Sequence, residues 1–155
     1  MNYAKGTIII AGASQGLGEN LAKHLLENNY SLILLARNKE RIQLIESELK
    51  HQYKNATITT FAVDLTNNHD VRNVFAEIVT MKETQISGLI NCASTWAGGR
   101  SIYDISAEEM AGSINLNFFT YFNPIKALLD LPDERIAKPL NIINIGATAS
   151  IRGGS

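Results

Sequence analysis

The sequence predicts a doubly wound α/β domain, a parallel sheet between helices in three layers, α/β/α. Three observations predict it. Short β-branched runs alternate with segments of helical apolar spacing. The runs are apolar at consecutive positions, as strands covered on both faces require. The first of them leads straight into a glycine-rich turn followed by a helical pattern.

Taken in order, the strands are Thr7-Ile8-Ile9-Ile10-Ala11, Ser31 to Ala36, Thr57 to Val63, Ile86 to Asn91 and Leu140 to Ile145. The first helix carries Leu17, Leu21, Ala22, Leu25 and Leu26 at helical spacing and closes at Asn28-Asn29. A second stripe, Ile42, Leu44, Ile45 and Leu49, lies within the charged segment Lys39 to Lys50, and Val71, Val74, Phe75 and Ile78 mark a third. A fourth helix begins at Ser106, where Glu109 three residues on completes a capping box. It is expected to run through Leu116 towards Leu129, with Pro124 kinking it or ending its first half. The polar stretch Leu131 to Lys138 reads as a loop. The order β-α-β-α-β-α-β-α-β is met most simply by parallel strands with right-handed crossovers.

At 155 residues, 45% apolar and 19% charged, the chain suits one globular domain, residues 1–155. A formal charge of -1 gives no electrostatic case for nucleic acid or an anionic membrane as partner. No apolar run approaches the length of a membrane span, and the start of the chain lacks the apolar stretch of a secretion signal, so a cytoplasmic protein is expected. Cys92 stands alone, which excludes an internal disulfide and a cysteine-cluster metal site. His24, His51 and His69 lie far apart without ligand spacing and read as surface residues, so no metal is expected.

The turn after the first strand is Gly12-Ala13-Ser14-Gln15-Gly16-Leu17-Gly18. Gly12 permits the tight turn, Gly16 leaves room for a pyrophosphate, and Gly18 lets the helix approach the strand closely. The helix then offers unpaired N–H groups and the positive end of its dipole to the phosphates. The bland alternative is an ordinary glycine-bearing turn between strand and helix.

The spacing Gly-x-x-x-Gly-x-Gly resembles the short-chain dehydrogenase/reductase family, whose members bind NAD or NADP on a seven-stranded Rossmann sheet. Further markers follow in order. Asp64 in Val63-Asp64-Leu65 matches the family's aspartate near the adenine, although it also fits a turn opening before Thr66-Asn67-Asn68. Asn91-Cys92-Ala93-Ser94 stands where the family has Asn-Asn-Ala-Gly, and Asn115 matches the helix asparagine of the catalytic tetrad. Asn144-Ile145 opens the fifth-strand motif. Asn91 and Asn115 also fit purely structural roles, and Cys92 a small buried filler. The resemblance assigns the dinucleotide to Gly12, Ser14, Gln15, Gly16, Leu17, Gly18, Arg37, Asp64, Leu65, Asn91 and Ala93.

A carboxylate at the end of the second strand would select NAD by accepting the ribose hydroxyls, and would repel a 2′-phosphate. Here the strand ends Leu35-Ala36-Arg37-Asn38. Ala36 takes the acid's place, and the guanidinium of Arg37 offers a planar fork to a phosphate. NADP is the expected cofactor, although Gln15 stands where NADP-binding relatives often carry a second basic residue.

The resemblance implies hydride transfer between the nicotinamide and a carbonyl or alcohol. In the family a tyrosine moves the proton, and a lysine four residues later lowers its pKa. None of Tyr3, Tyr30, Tyr53, Tyr103 and Tyr121 has a lysine four residues on. The family's tyrosine would fall beyond Ser155, so residues 1–155 are expected to be the cofactor half, with five of the seven strands. Ala147 occupies the place of the catalytic serine, and Thr148 or Ser150 are the candidate substitutes. The substrate is expected near Ser94 to Arg100, with Trp96 as an apolar wall or as packing. Self-association into a homo-oligomer is expected. The alternatives are a non-catalytic NADP-binding pseudoenzyme or sensor and an inactive fragment.

Overall fold

The structure, a computed structural model, describes residues 5–81, 84–94 and 102–146. Five parallel strands form one sheet in the order β3-β2-β1-β4-β5. They are β1 (Thr7–Ala11), β2 (Ser31–Ala36), β3 (Ile58–Ala62), β4 (Ile86–Asn91) and β5 (Ile136–Asn144). The helices are α1 (Gly16–Glu27), α2 (Lys39–Gln52), α3 (Asn68–Thr80), α4 (Ala107–Ile114) and α5 (Thr120–Leu129).

The alternation of side chains along each strand divides the core into two layers. Ile8, Ile10, Leu32 and Leu34 face Ala22, Leu26, Ile42, Ile45 and Leu49 of α1 and α2. Their neighbours Ile9, Ala11, Ile33 and Leu35 face Val71, Phe75 and Ile78 of α3 and Ala127 and Leu128 of α5. Both faces of β1 and β2 are therefore covered, which is why those strands read as unbroken apolar runs. Burial of Phe75 alone removes enough apolar surface to stabilise by about 2 to 3 kcal/mol.

Local chemistry sets the helix starts. The Asn38 side chain accepts from the Arg41 N–H at 2.7 Å and caps α2. Asn67 does the same for α3 through His69 and Asp70. The capping box expected at Ser106 and Glu109 is present at the start of α4.

Two local expectations need correction. The stretch expected to be a loop as far as Lys138 already enters β5 at Ile136, after a short 3₁₀ turn over Asp133–Arg135. That strand lies at the sheet edge and is largely exposed, so its start, Ile136-Ala137-Lys138-Pro139, carries no buried-strand signature. Pro124 neither ends nor divides the fourth helix; it is buried inside α5, which continues to Leu129. The irregularity sits one turn earlier, where Asn115–Phe119 forms a π turn between α4 and α5.

Among the described residues no helix is long and apolar enough to cross a membrane.

Candidate functional site

A cleft of ≈ 560 Å³ opens at the C-terminal ends of the strands. It lies by β1, from which the chain builds the sheet outwards through β2 and β3 on one side before crossing to β4 and β5 on the other, the switch point at which open α/β sheets bind ligands. Of the residues expected to hold a dinucleotide, Gly12, Ser14, Gln15, Gly16, Leu17, Gly18, Arg37, Asp64, Leu65 and Ala93 all line it.

The turn between β1 and α1 is shaped by its glycines. At φ 90°, Gly12 adopts a conformation L side chains rarely take, and a Cβ there would fall 2.5 Å from the Ala93 nitrogen. A Cβ on Gly18 would lie 2.2 Å from the Gly12 carbonyl, so α1 starts in direct backbone contact with the turn. A Cβ on Gly16 would meet nothing within 4 Å, because this position faces open space. The N-cap of α1 is Gln15, which makes no side-chain capping bond. First-turn N–H groups lacking such a cap are the donors a diphosphate needs. Leu17, half exposed at the cleft, supplies apolar surface beside them.

Arg37, which lines the cleft, and Arg41, bonded to the glycine turn, have opposite commitments. Arg37 is exposed and forms no ion pair among the described residues, so its fork is available to an anion. Arg41, on the first turn of α2, donates from Nε to the Ser14 carbonyl at 3.1 Å and from Nη2 to Glu19 at 3.3 Å. It ties the glycine turn to both α1 and α2. The sequence reading missed Arg41, whose partner on the glycine turn is a main-chain carbonyl that no residue pattern marks.

Asp64 forms the turn that was its alternative reading. Its Oδ1 accepts from the Thr66 N–H at 2.9 Å and from the Thr66 hydroxyl at 2.8 Å. The Thr66 amide first, then its hydroxyl, hold the carboxyl below its ordinary range, with Arg37 adding a smaller pull in the same direction.

Asn91 and Asn115 do not line the cleft. Asn91 is fully buried and donates from Nδ2 to Asn144 Oδ1 at 2.7 Å, a tie between β4 and β5. Its Oδ1 has no partner among the described residues. Asn115 opens the π turn and is exposed. Cys92 does line the cleft, and burial pushes its thiol up. The cleft also takes in Val63, Thr66, Ser94, Leu116, Thr120 and Ile145, none of which was singled out for the dinucleotide. The expectations for Ala147, Thr148, Ser150 and Trp96 lie outside the described residues. Among the described residues no three His, Cys, Asp or Glu side chains gather as a metal site would require.

Sequence comparison agrees with this geometry. The model of the short chain dehydrogenase family matches residues 6–155. The chain belongs to the short chain dehydrogenase family. Within it, the chain is 36% identical over 115 residues to the benzil reductase ((S)-benzoin forming) of Bacillus cereus, covering 71% of this chain and 44% of that protein. It is 24% identical over 143 residues to the NADPH-dependent reductase BacG of Bacillus subtilis, covering 90% of this chain and 54% of that one. The solved structure of ElxO with NADP bound superposes with a TM-score of 0.83 at 22% identity, over 97% of this chain and 58% of that one. This short chain dehydrogenase sequence thus spans about half the length of the curated relatives it matches.

Proposed function

We propose that the protein is an NADP-dependent oxidoreductase acting on a carbonyl or alcohol, with residues 1–155 forming a single Rossmann-type domain that holds the cofactor. The observation that carries this is the exposed Arg37 just after β2, with no ion pair among the described residues, beside a glycine turn whose helix lacks a side-chain cap. A diphosphate would take the amides at the start of α1, and the 2′-phosphate would take the Arg37 fork. Leu17, Ala36 and Leu65 would give apolar contact to the adenosine. The fit is supported from outside, since ElxO binds NADP and BacG is an NADPH-dependent reductase.

Bound NADP would supply or accept the hydride. The protein's part is to fix the nicotinamide beside Ala93, Ser94 and Ile145 and to present a hydroxyl to the substrate oxygen, for which Thr148 or Ser150 are the candidates. Asn115 at the π turn is assigned to the family's proton path. A cytoplasmic location and self-association belong to the same reading. The latter is supported by the exposed, mutually packed rings of Phe118, Phe119 and Phe122.

Replacing Arg37 with Ala tests the cofactor choice by calorimetric titration. A lost charge-assisted contact of about 2 kcal/mol raises the NADPH dissociation constant about 30-fold and leaves NADH nearly unchanged. Equal weakening of both cofactors would show that Arg37 does not read the 2′-phosphate. Ala147 at the serine's place favours a second reading, a non-catalytic NADP binder. Saturable NADPH binding by the full-length protein without turnover of any carbonyl in a broad panel would select it.

A further inference from the structure

Polar side chains where a helix packs on the core need partners, and the first turn of α5 carries three, Thr120, Tyr121 and Asn123. Thr120 Oγ1 donates to the Leu116 carbonyl one turn back at 2.7 Å, with the Ala93 carbonyl at 3.2 Å as its second, longer acceptor. Tyr121 Oη donates to the Ile145 carbonyl at 2.5 Å. Asn123, 2% exposed, donates from Nδ2 to the carbonyls of Leu65 at 2.9 Å and Thr66 at 3.1 Å. Of these acceptors Leu65, Thr66, Ala93 and Ile145 line the cleft and come from the segments after three different strands.

Helical steps of about 100° per residue fan the three side chains across roughly 160° of α5, which is how one turn reaches loops on opposite sides of the cleft. The π turn over Asn115–Phe119 sets the phase of that fan, because a widened turn rotates everything after it. Main-chain bonds hold the start of each loop. The loop after β4 is flanked by β1 and β5, and Cys92 and Ile145 are held by main-chain bonds to Ala11 and Asn91. Val63, after β3, is likewise held by a main-chain bond to Ala36, whereas Leu65 and Thr66 are tied by Asn123.

We infer that the first turn of α5 is a bracket that positions both nucleoside walls of the cleft, with Asn123 acting on the adenosine side and Tyr121 and Thr120 on the nicotinamide side. The inference rests on the dinucleotide reading above for its assignment of sides. These are positioning residues, acting through the main chain of the loops they hold. Asn123 fixes Leu65 and Thr66, and Thr66 in turn orients Asp64.

The test is fragment binding by the full-length protein, with 2′,5′-ADP for the adenosine side and reduced nicotinamide mononucleotide for the other. Asn123→Ala is expected to weaken 2′,5′-ADP about tenfold and leave the mononucleotide within about twofold. Tyr121→Phe is expected to do the reverse, about fivefold on the mononucleotide alone. Asn123→Thr, which keeps one donor, should fall between wild type and Asn123→Ala and serves if the latter does not fold. Leu128→Ala, a core change on the same helix, should lower stability without separating the fragments. Parallel weakening of both fragments by each variant, or a Leu128→Ala variant that separates them, overturns the bracket. Amide exchange in the free protein decides the same point without ligand. Asn123→Ala should speed exchange at Thr66 but not at Ile145, and Tyr121→Phe the converse. If the wild type binds neither fragment, the dinucleotide reading fails while the exchange pattern still judges the bracket.

Discussion

The two sides of the cleft are built by different means. On the side of β1, β2 and β3, the walls are short turns fixed by their own residues: glycines at Gly12, Gly16 and Gly18, the Asn38 cap, and the Asp64–Thr66 turn. On the side of β4 and β5, the walls are held from a distance. Asn91 reaches Asn144 across 53 residues of chain, and Tyr121 reaches Ile145 across 24. Local turns are specified by residue type at fixed offsets. Long-range ties depend on which helix the fold brings alongside, and one helix, α5, serves both sides.

The largest effect expected from this contrast is at Gly18. Gly18→Ala places a Cβ against the Gly12 carbonyl, and main chain yields poorly, so a loss of about 3 kcal/mol or more is expected in urea denaturation. Full stability in that variant would mean that the turn is looser than its contacts require. Gly16→Ala, two residues away, should do the opposite. Its Cβ meets open space, so the fold loses only about 1 to 2 kcal/mol for the positive φ, while NADPH binding drops at least about tenfold. Retained binding there would remove the diphosphate from this position.

A smaller effect is expected at Arg41. Arg41→Gln removes the bond to the Ser14 carbonyl and the pairing with Glu19, both exposed, so stability should change by less than about 1 kcal/mol. NADPH affinity should fall about threefold as the turn loosens. No change in affinity would confine Arg41 to the surface.

The smallest concerns pH. Asp64 is held below its ordinary range in the folded state, chiefly by the Thr66 amide. Its contribution is therefore fully present above the unfolded value of about 4 and is lost as pH falls through the folded value. Asp64→Asn should flatten this limb of a stability-against-pH curve, and Thr66→Val, which keeps the amide, should flatten it only in part. An unchanged acid limb in both variants would show that the bonded turn does not couple to folding.

The same contrast explains what could be read in advance. Strand runs such as Thr7-Ile8-Ile9-Ile10-Ala11 and the spaced glycines were legible because burial on both faces and tight turns each demand particular residue types locally. The edge strand β5 was cut short at its start, since Ile136 to Pro139 are half-buried or exposed and lack that demand. Pro124 does not end the helix as one half of its reading had it, because it is buried within α5, which runs on to Leu129. Thr120 and Asn123 went unnoticed although polar residues within an apolar helix are a signal. What they bond lies 27 to 58 residues away, and only the fold brings those carbonyls within reach. Arg37 was legible as a phosphate reader, whereas Arg41 was not, because its partner is a main-chain carbonyl that no sequence pattern marks.

The most direct test of the central claim is a crystal structure of the full-length protein with NADP. The diphosphate should lie against the amides between Ser14 and Gly18, with the 2′-phosphate within hydrogen-bond reach of Arg37. A nucleotide seated elsewhere, or a 2′-phosphate turned to solvent away from that guanidinium, would contradict the account.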